Sequence, residues 1–568
     1  MDSHLKAYTL DQHSSAMAVT GAEAGHLVHY DTIVLGAGIA GLAFTSRILQ
    51  TNYTVSRADR VRILEARDRI GGRIASVQVQ GCRLDTGANW IHGTGNVKRP
   101  NPLMDILPDK RYRSMEGSVL FQTPDGKHDS TSRNGEITGD GPDLTAQSTC
   151  PTTGIPTTNL DQGLMIPARL AKLIVSRAQI AIGEMQDLST TIPTKAAKHM
   201  SALRALVNAK SFQRAFDLVP KEYHRTLGAL FQGIENMEAA PLLAQTTEPG
   251  RPESEPGVGL LEYAVNDFDG EQAFLQDGYS PIIEDIARPL LEAGVIALET
   301  VVTRVDWTRK PIVIETNRGV FTAGEVVCTI PLGVLKDNSK HRFFVPELPA
   351  DKQEAIEHLG FGTLDKIFAT YSRPWWDDEP YRSSIRKGLI RTEDRAENDP
   401  PDVFMGFTSE LSGISIDRNG SVSPDVYRLP IMNLQALTGQ PVLCAFVSCK
   451  TATTVEAMND QDVSNMFHRV LSQWFGAETP RPDAVHVTRW AQDPFSRGSY
   501  SHSITGLSEA KQRKTLQKPI TNEDGGVLRF SGEHCSKDHF AMVHGALLDG
   551  WRAADASLQY GDDVNLRG

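Results

Sequence analysis

Three glycines, one carboxylate and one arginine set the chemistry that this chain can do. Gly36, Gly38 and Gly41 form G-x-G-x-x-G inside residues 31–41, and Glu65 and Gly71-Gly72-Arg73 follow. Thr32–Leu35 is a short apolar run that reads as a buried strand, and Ile39–Gln50 reads as the helix after it. Gly36 allows the tight turn, Gly38 lets the backbone approach a pyrophosphate, and Gly41 lets helix and strand pack closely. The helix N-terminus then points at the phosphates. Val61–Leu64 is the second strand, with Glu65 at its end to accept from ribose hydroxyls. The polar loop 51–60 accounts for the slightly long spacing from Gly41 to Glu65. An arginine after a glycine turn reaches a pyrophosphate, which favours FAD over NAD; a solvated basic loop is the alternative reading of 65–73.

The rest of the chain must position this unit. With 568 residues it exceeds one ordinary core, so two domains are expected. A net charge of −12 excludes a strongly basic nucleic-acid surface. The six cysteines are scattered without a C-x-x-C pair, so neither zinc nor a disulfide framework is indicated. No signal peptide, membrane span or addressing motif is legible, and an intracellular, cytoplasmic protein is expected.

Residues 1–28 read as a disordered leader, and 29–110 as the first piece of an FAD-binding domain. Residues 111–268 would begin the substrate domain, with insertions near 113–160 and 246–257. Leu164–Leu242 is helical in pattern. Ser280–Glu292 reads as a helix and Val301–Trp307 as a strand. Ile312–Glu315 and Val320–Phe321 flank a turn at Asn317-Arg318-Gly319, and Val326–Ile330 is a further strand. The second and third nucleotide pieces are 269–340 and 486–568, separated by substrate-domain residues 341–485. Val527–Phe530 (strand) and Val543–Leu558 (helix) belong to the last piece. The fold class is α/β: a Rossmann-type domain with an inserted α+β domain.

Taken together, these blocks resemble the FAD-dependent amine oxidases, in particular the polyamine oxidase branch. The matching stretches are 34–42, 64–73, Asp85-Thr-Gly-Ala-Asn-Trp-Ile-His-Gly93, Asp277-Gly-Tyr279, Thr329–Leu335 and Lys366-Ile-Phe368. Gly498-Ser-Tyr-Ser501, Gly532-Glu-His534 and Val543-His-Gly-Ala546 follow. The resemblance implies noncovalent FAD, a small-molecule amine and O2 as partners, no nucleic acid or membrane, and a monomer or homodimer. It assigns cofactor contacts to Gly36, Gly38, Ala40, Gly41, Glu65, Ala66, Arg67, Gly72 and Arg73. Others fall on Gly87, Ala88, Asn89, Trp90, Val302, Trp490, Gly532, Glu533, Met542 and Val543. In particular, the Val302 backbone would meet adenine, Glu533 a ribityl or ribose hydroxyl, and the helix from Val543 the flavin C2 carbonyl.

Lys366, His92 and Tyr500 are the residues that the resemblance places at the reaction. Lys366 matches the lysine held near flavin N5 through a water, and its strand context makes an inward lysine costly without a purpose. His92 matches a substrate-contacting position and can accept from an amine without carrying a fixed charge. Tyr500 supplies an aromatic wall. The chain departs from the branch at Leu364 and Met542, where tyrosine is frequent, so the pocket suits a bulkier or less polar amine than spermine. Phe540 is the candidate replacement ring, and Cys535 stands where threonine is usual. Competing readings are a non-catalytic flavin-fold binding protein, a histone-lysine demethylase and an amino-acid oxidase.

Overall fold

The structure, a computed structural model, describes residues 28–51, 55–107, 112–114, 117–121, 165–242, 257–261, 268–338, 342–391, 399–508 and 511–565. The leader 1–27, most of both insertions and Cys150 lie outside these residues.

Two large sheets organise the chain. The first has nine strands, and its parallel centre is Val28–Leu35 between Val61–Leu64 and Gly319–Cys328. Ile33, Val34, Ile63, Val326 and Val327 are all fully buried, as expected for a parallel sheet covered on both faces. Ile296–Ala297 extends one side in parallel. On the other, Val302–Asp306, Ile312–Thr316 and Gly319–Cys328 form an antiparallel meander, and Val527–Phe530 runs parallel to residues 325–328. The helix Ile39–Thr51 lies against the C-terminal helix Val543–Asn565. Gly550 lets them approach, since a Cβ there would meet the Ala40 carbonyl oxygen at 2.4 Å. Arg47 and Asp555 pair across the same contact at 2.6 Å.

The second sheet has seven strands in the order Leu389–Arg391, Gly117–Leu120, Val403–Ile416, Val422–Asn433, Val442–Ser448, Leu364–Thr370 and Ala484–Val487. The helices of residues 168–238 cover one side of it through Ile174, Phe212, Leu227 and Phe231. Leu364–Thr370 is nearly buried throughout, pinned between Val442–Ser448 and Ala484–Val487.

Local differences from the sequence expectations have simple causes. Residues 164–242 form one long helix, Ala168–Thr191, followed by a series of short ones. Pro193 and Pro220 sit at two of the breaks, where their missing N–H and fixed φ suit a helix start. Composition places Gly117–Leu120 in a surface insertion from about 113, yet it is a buried inner strand; Val119, Leu120 and Phe121 are too apolar for a loop. Residues 319–328 are one strand rather than two, because its start pairs antiparallel with residues 312–316 and its end pairs parallel with 527–530. No helix among the described residues is long and apolar enough to cross a membrane.

Candidate active site

The glycine turn is locked from three sides. Gly36 N–H donates to the Leu64 carbonyl and Gly71 N–H to that of Ala37, both at 2.9 Å. Glu65 is 5% exposed and accepts from the N–H groups of Ala37 at 2.7 Å and Arg67 at 2.9 Å. Burial raises the Glu65 pKa, and these two donors oppose that rise. Glu65 therefore latches the glycine turn to the second strand, a role its position at a strand end does not announce. Gly36, at φ +108°, requires glycine for its backbone, whereas Gly41 requires it for packing, since a Cβ would lie 2.2 Å from the Gly36 carbonyl oxygen. Gly38 is different. Its nearest protein neighbour to a built Cβ is the Gly71 carbonyl oxygen at 4.0 Å, so the protein itself leaves room there for a side chain.

Beyond Glu65 a cleft of about 470 Å³ is lined by Ala66, Arg67, Arg69, Glu299, Val301 and Phe495. Val302 does not line it; its side chain packs toward the core of the nine-stranded sheet and it pairs with Thr316 in the meander. The Arg67 guanidinium is bidentate to Asp493 at 2.8 and 2.9 Å, reaches Ser496, and lies over the Phe495 ring. Arg73 donates to Glu533 at 2.9 Å and to the Ser499 carbonyl at 2.7 Å. Glu533 also accepts from Ser501 Oγ at 2.7 Å and Ala541 N–H at 2.9 Å. Burial would raise the Glu533 pKa, but Arg73, His534 and the Ser501 hydroxyl outweigh it and hold it at about 2. Asp493 is not among the residues that the sequence singles out, because 426 residues separate it from Arg67.

Lys366 is 5% exposed and faces the segment that carries Asp85–Trp90. Its Nζ donates to the carbonyl of Asp85 at 2.8 Å and of Gly87 at 2.6 Å. Trp490 Nε1 takes the carbonyl between them, that of Thr86, at 3.2 Å. Gly87 has no room for a side chain: a Cβ would meet the Arg73 carbonyl oxygen at 1.8 Å. The Ala88 N–H donates to that same carbonyl, so residues 85–88 run against the Arg73 turn. Burial pushes the Lys366 pKa down, against a smaller upward pull from its neighbours.

His92 ends the strand Trp90–His92 and is solvent-accessible, while surrounding protein still pushes its pKa down by desolvation. Its Nδ1 lies 2.8 Å from Gln272 Oε1, so Nδ1 donates and Nε2 keeps its lone pair. Trp90 packs edge-on against Phe274 at 5.1 Å, and Tyr279 donates to the Trp90 carbonyl at 2.6 Å. Asn89 is buried, and its carbonyl accepts from Leu275. Tyr500 turns its hydroxyl to the Met237 carbonyl at 2.9 Å, which fixes the ring. Phe540 is buried under Arg513, whose guanidinium lies 3.8 Å from the ring centre. Gly532 donates to Asp549 at 3.1 Å. The Met542 carbonyl accepts from Ala546, so the N–H groups at the start of the helix from Val543 have no intrahelical acceptor.

A family model of flavin containing amine oxidoreductases matches residues 39–558. The chain belongs to this family. Its fold matches that of putrescine oxidase bound to putrescine, with a TM-score of 0.56 at 18% identity over 94% of this chain and 99% of the other. A double mutant of putrescine oxidase, redesigned in its cofactor binding, gives a TM-score of 0.58, also at 18% identity, with the same coverage. Among sequence relatives, the peroxisomal N(1)-acetyl-spermine/spermidine oxidase of Bos taurus is 25% identical, covering 93% of this chain and 95% of that protein. Probable polyamine oxidase 4 of Arabidopsis thaliana is 27% identical, covering 94% of this chain and 88% of that protein.

A flavin fits what the amine oxidoreductase fold presents here. The space beside Gly38 is a cradle that a Cβ would enter, a cleft lined by Ala66 and Arg67 lies beyond Glu65, and a helix N-terminus stands at Val543.

Proposed function

We propose that this flavin-containing amine oxidoreductase oxidises a secondary or polyamine-like amine at the carbon beside its nitrogen, using noncovalent FAD and O2. The nine-stranded sheet with residues 29–110, 269–340 and 486–568 is the proposed nucleotide half, to which the edge strand Phe344–Val345 adds beyond the expected boundary at 340. Residues 111–268 and 341–485 are the proposed substrate half. Bound flavin supplies the two-electron chemistry, accepting a hydride equivalent from the substrate and passing electrons to O2, with H2O2 and a hydrolysable imine as products.

The observation that carries this reading is the buried Lys366 amine, clamped by two carbonyls of the segment that continues into Trp90 and His92. A buried lysine with a lowered pKa, hydrogen-bonded to carbonyls rather than to a carboxylate, is costly, and such groups concentrate at reactive sites. Two of its donor directions are spent, leaving one for a water or reacting group. His92 contributes an acceptor, Nε2, on an imidazole that desolvation keeps neutral near pH 7. Neither group would present a fixed negative charge that stabilises an ammonium, so the amine is oriented in the neutral form that can give up hydride. Tyr500, with its ring held by Met237, and the apolar Leu364 and Met542 are proposed as the walls. Cys535 is fully buried, and burial raises its thiol pKa well above the ordinary value, which supports noncovalent flavin.

Peroxide release with free and N-acetylated polyamines, bulky secondary amines, simple monoamines and a methylated lysine peptide tests the assignment. Turnover of the polyamines, or of bulky secondary amines, supports it. Turnover of the peptide alone, or of none with flavin bound, overturns it.

A further inference from the structure

Behind Lys366 lies a second group of titratable side chains that the proposed reaction does not use. Alternate side chains of a strand face opposite ways, so Asp365 points away from the Lys366 amine toward the helix Cys449–Ala457. There it meets Glu456. Consecutive backbone N–H groups hold the two carboxyl groups side by side, Trp490 on Asp365 and Ala491 on Glu456, with Asp365 fully buried and Glu456 4% exposed, and Glu456 acts on Asp365 as a hydrogen-bond partner. Two carboxylates cannot share such a contact unless one proton lies between them. The remaining geometry agrees: Asp365 Oδ2 has no donor from any other group, and Glu456 Oε1 already accepts from Ala491 N–H at 2.7 Å.

The other oxygen of Asp365 organises the site. Oδ1 accepts from Thr488 Oγ1 at 2.7 Å and from Trp490 N–H at 3.1 Å. Thr488 Oγ1 in turn accepts from the Lys366 N–H at 2.8 Å. The backbone of Lys366 and the indole of Trp490 are therefore both set from one buried carboxyl group, and these two residues grip the carbonyls of residues 85, 86 and 87.

We infer that Asp365 and Glu456 share one proton and act together as a positioning pair, holding Lys366 and Trp490 against residues 85–87 until rising pH removes that proton. The inference rests on the reading of Lys366 given above. Burial and the facing Glu456 push the Asp365 pKa up to about 8, which places the loss at mildly alkaline pH. Other charged or titratable groups on the packed elements face elsewhere. Arg489 donates to the Glu456 and Met458 carbonyls and pairs with Asp460 at 2.7 Å. His486 lies against the Phe368 ring on the Lys366 face, and Lys450 is exposed.

Asp365→Asn separates this role from ordinary packing. An asparagine keeps the Oδ1 acceptor and gives Glu456 a permanent donor, so it reproduces the proton-sharing state at every pH. The test is hydrogen exchange at the amides of Lys366, Thr488 and Trp490, corrected for intrinsic rates, together with flavin reoxidation, from about pH 6 to about pH 10. In the unsubstituted enzyme both protection and reoxidation should fall by roughly tenfold or more across that range. In Asp365→Asn the protection should stay flat and reoxidation should keep only the pH dependence of Lys366 itself, and Glu456→Gln should behave alike. Asp365→Ala should lose protection at all pH; if it fails to fold, the two isosteric variants still decide. An alkaline loss in Asp365→Asn equal to that of the unsubstituted enzyme overturns the inference. Lys366→Met separates the two claims: unchanged reoxidation there refutes the role of Lys366, whereas exchange protection still reports on the pair.

Discussion

Glu533→Gln is the substitution for which the structure gives the firmest magnitude. Glu533 is 5% exposed and accepts from Arg73, Ser501 and the Ala541 N–H. A fall from the ordinary 4.5 to about 2 corresponds to about 3 kcal/mol favouring the charged form in the folded state. A second route agrees. Breaking a buried pair by removing one charge costs about 3–5 kcal/mol, and Arg73, with its side chain 23% exposed, places the cost at the low end. Glutamine also turns an NH2 toward either Arg73 or the Ala541 N–H, both of which can only donate. The sign follows from the depressed pKa: the stability is fully present above about pH 4.5 and is lost as pH falls toward 2. Urea unfolding of the flavin-free protein at pH 7 should show the variant destabilised by about 3 kcal/mol, with the gap closing in acid. A loss under about 1 kcal/mol at pH 7, or a gap that persists at low pH, would refute the reasoning.

Four further outcomes follow from the same geometry. Gly38→Ala should leave apoprotein stability within about 1 kcal/mol of the parent but sharply reduce flavin retention, read as flavin absorbance per protein after gel filtration. Gly41→Ala should destabilise even the apoprotein, because its Cβ would meet the Gly36 carbonyl oxygen at 2.2 Å. Lys366→Met should keep the fold and slow flavin turnover by roughly 10²-fold in stopped-flow measurements, a typical loss for removing a group that handles protons. Since burial lowers the His92 pKa from its ordinary 6.5, kcat/KM should rise from acid to neutral pH, and His92→Phe should raise KM more than it lowers kcat.

The glycine-turn region is legible in the sequence because its determinants are contiguous. A glycine turn, a strand end and Gly71-Gly72 sit within one stretch of chain, and physics demands glycine at Gly36 and Gly41 for reasons visible in spacing. Ser280–Glu292 and Val527–Phe530 are likewise legible to the residue, the first from its apolar residues at helical spacing and the second from a short, largely apolar run after Gly525-Gly526. What escapes depends on pairs made only by folding. Arg73 meets Glu533, Arg67 meets Asp493, and Asp365 meets Glu456, and each pairing is invisible to a periodicity count. The position of Glu65 suggests a ribose acceptor, but its latch to Ala37 depends on how the turn folds over it. The walls are the least legible. Phe540 is a candidate ring for the pocket by sequence, and the fold commits its face to Arg513.

The most direct test of the central claim is anaerobic flavin reduction by N-acetylated spermine and by a bulky secondary amine, followed at the flavin absorbance in the unsubstituted protein and in Lys366→Met. Rapid bleaching by either amine in the first, and slowed turnover on readmitting oxygen in the second, is the predicted result. A flavin that is bound but bleached by neither amine would contradict the account.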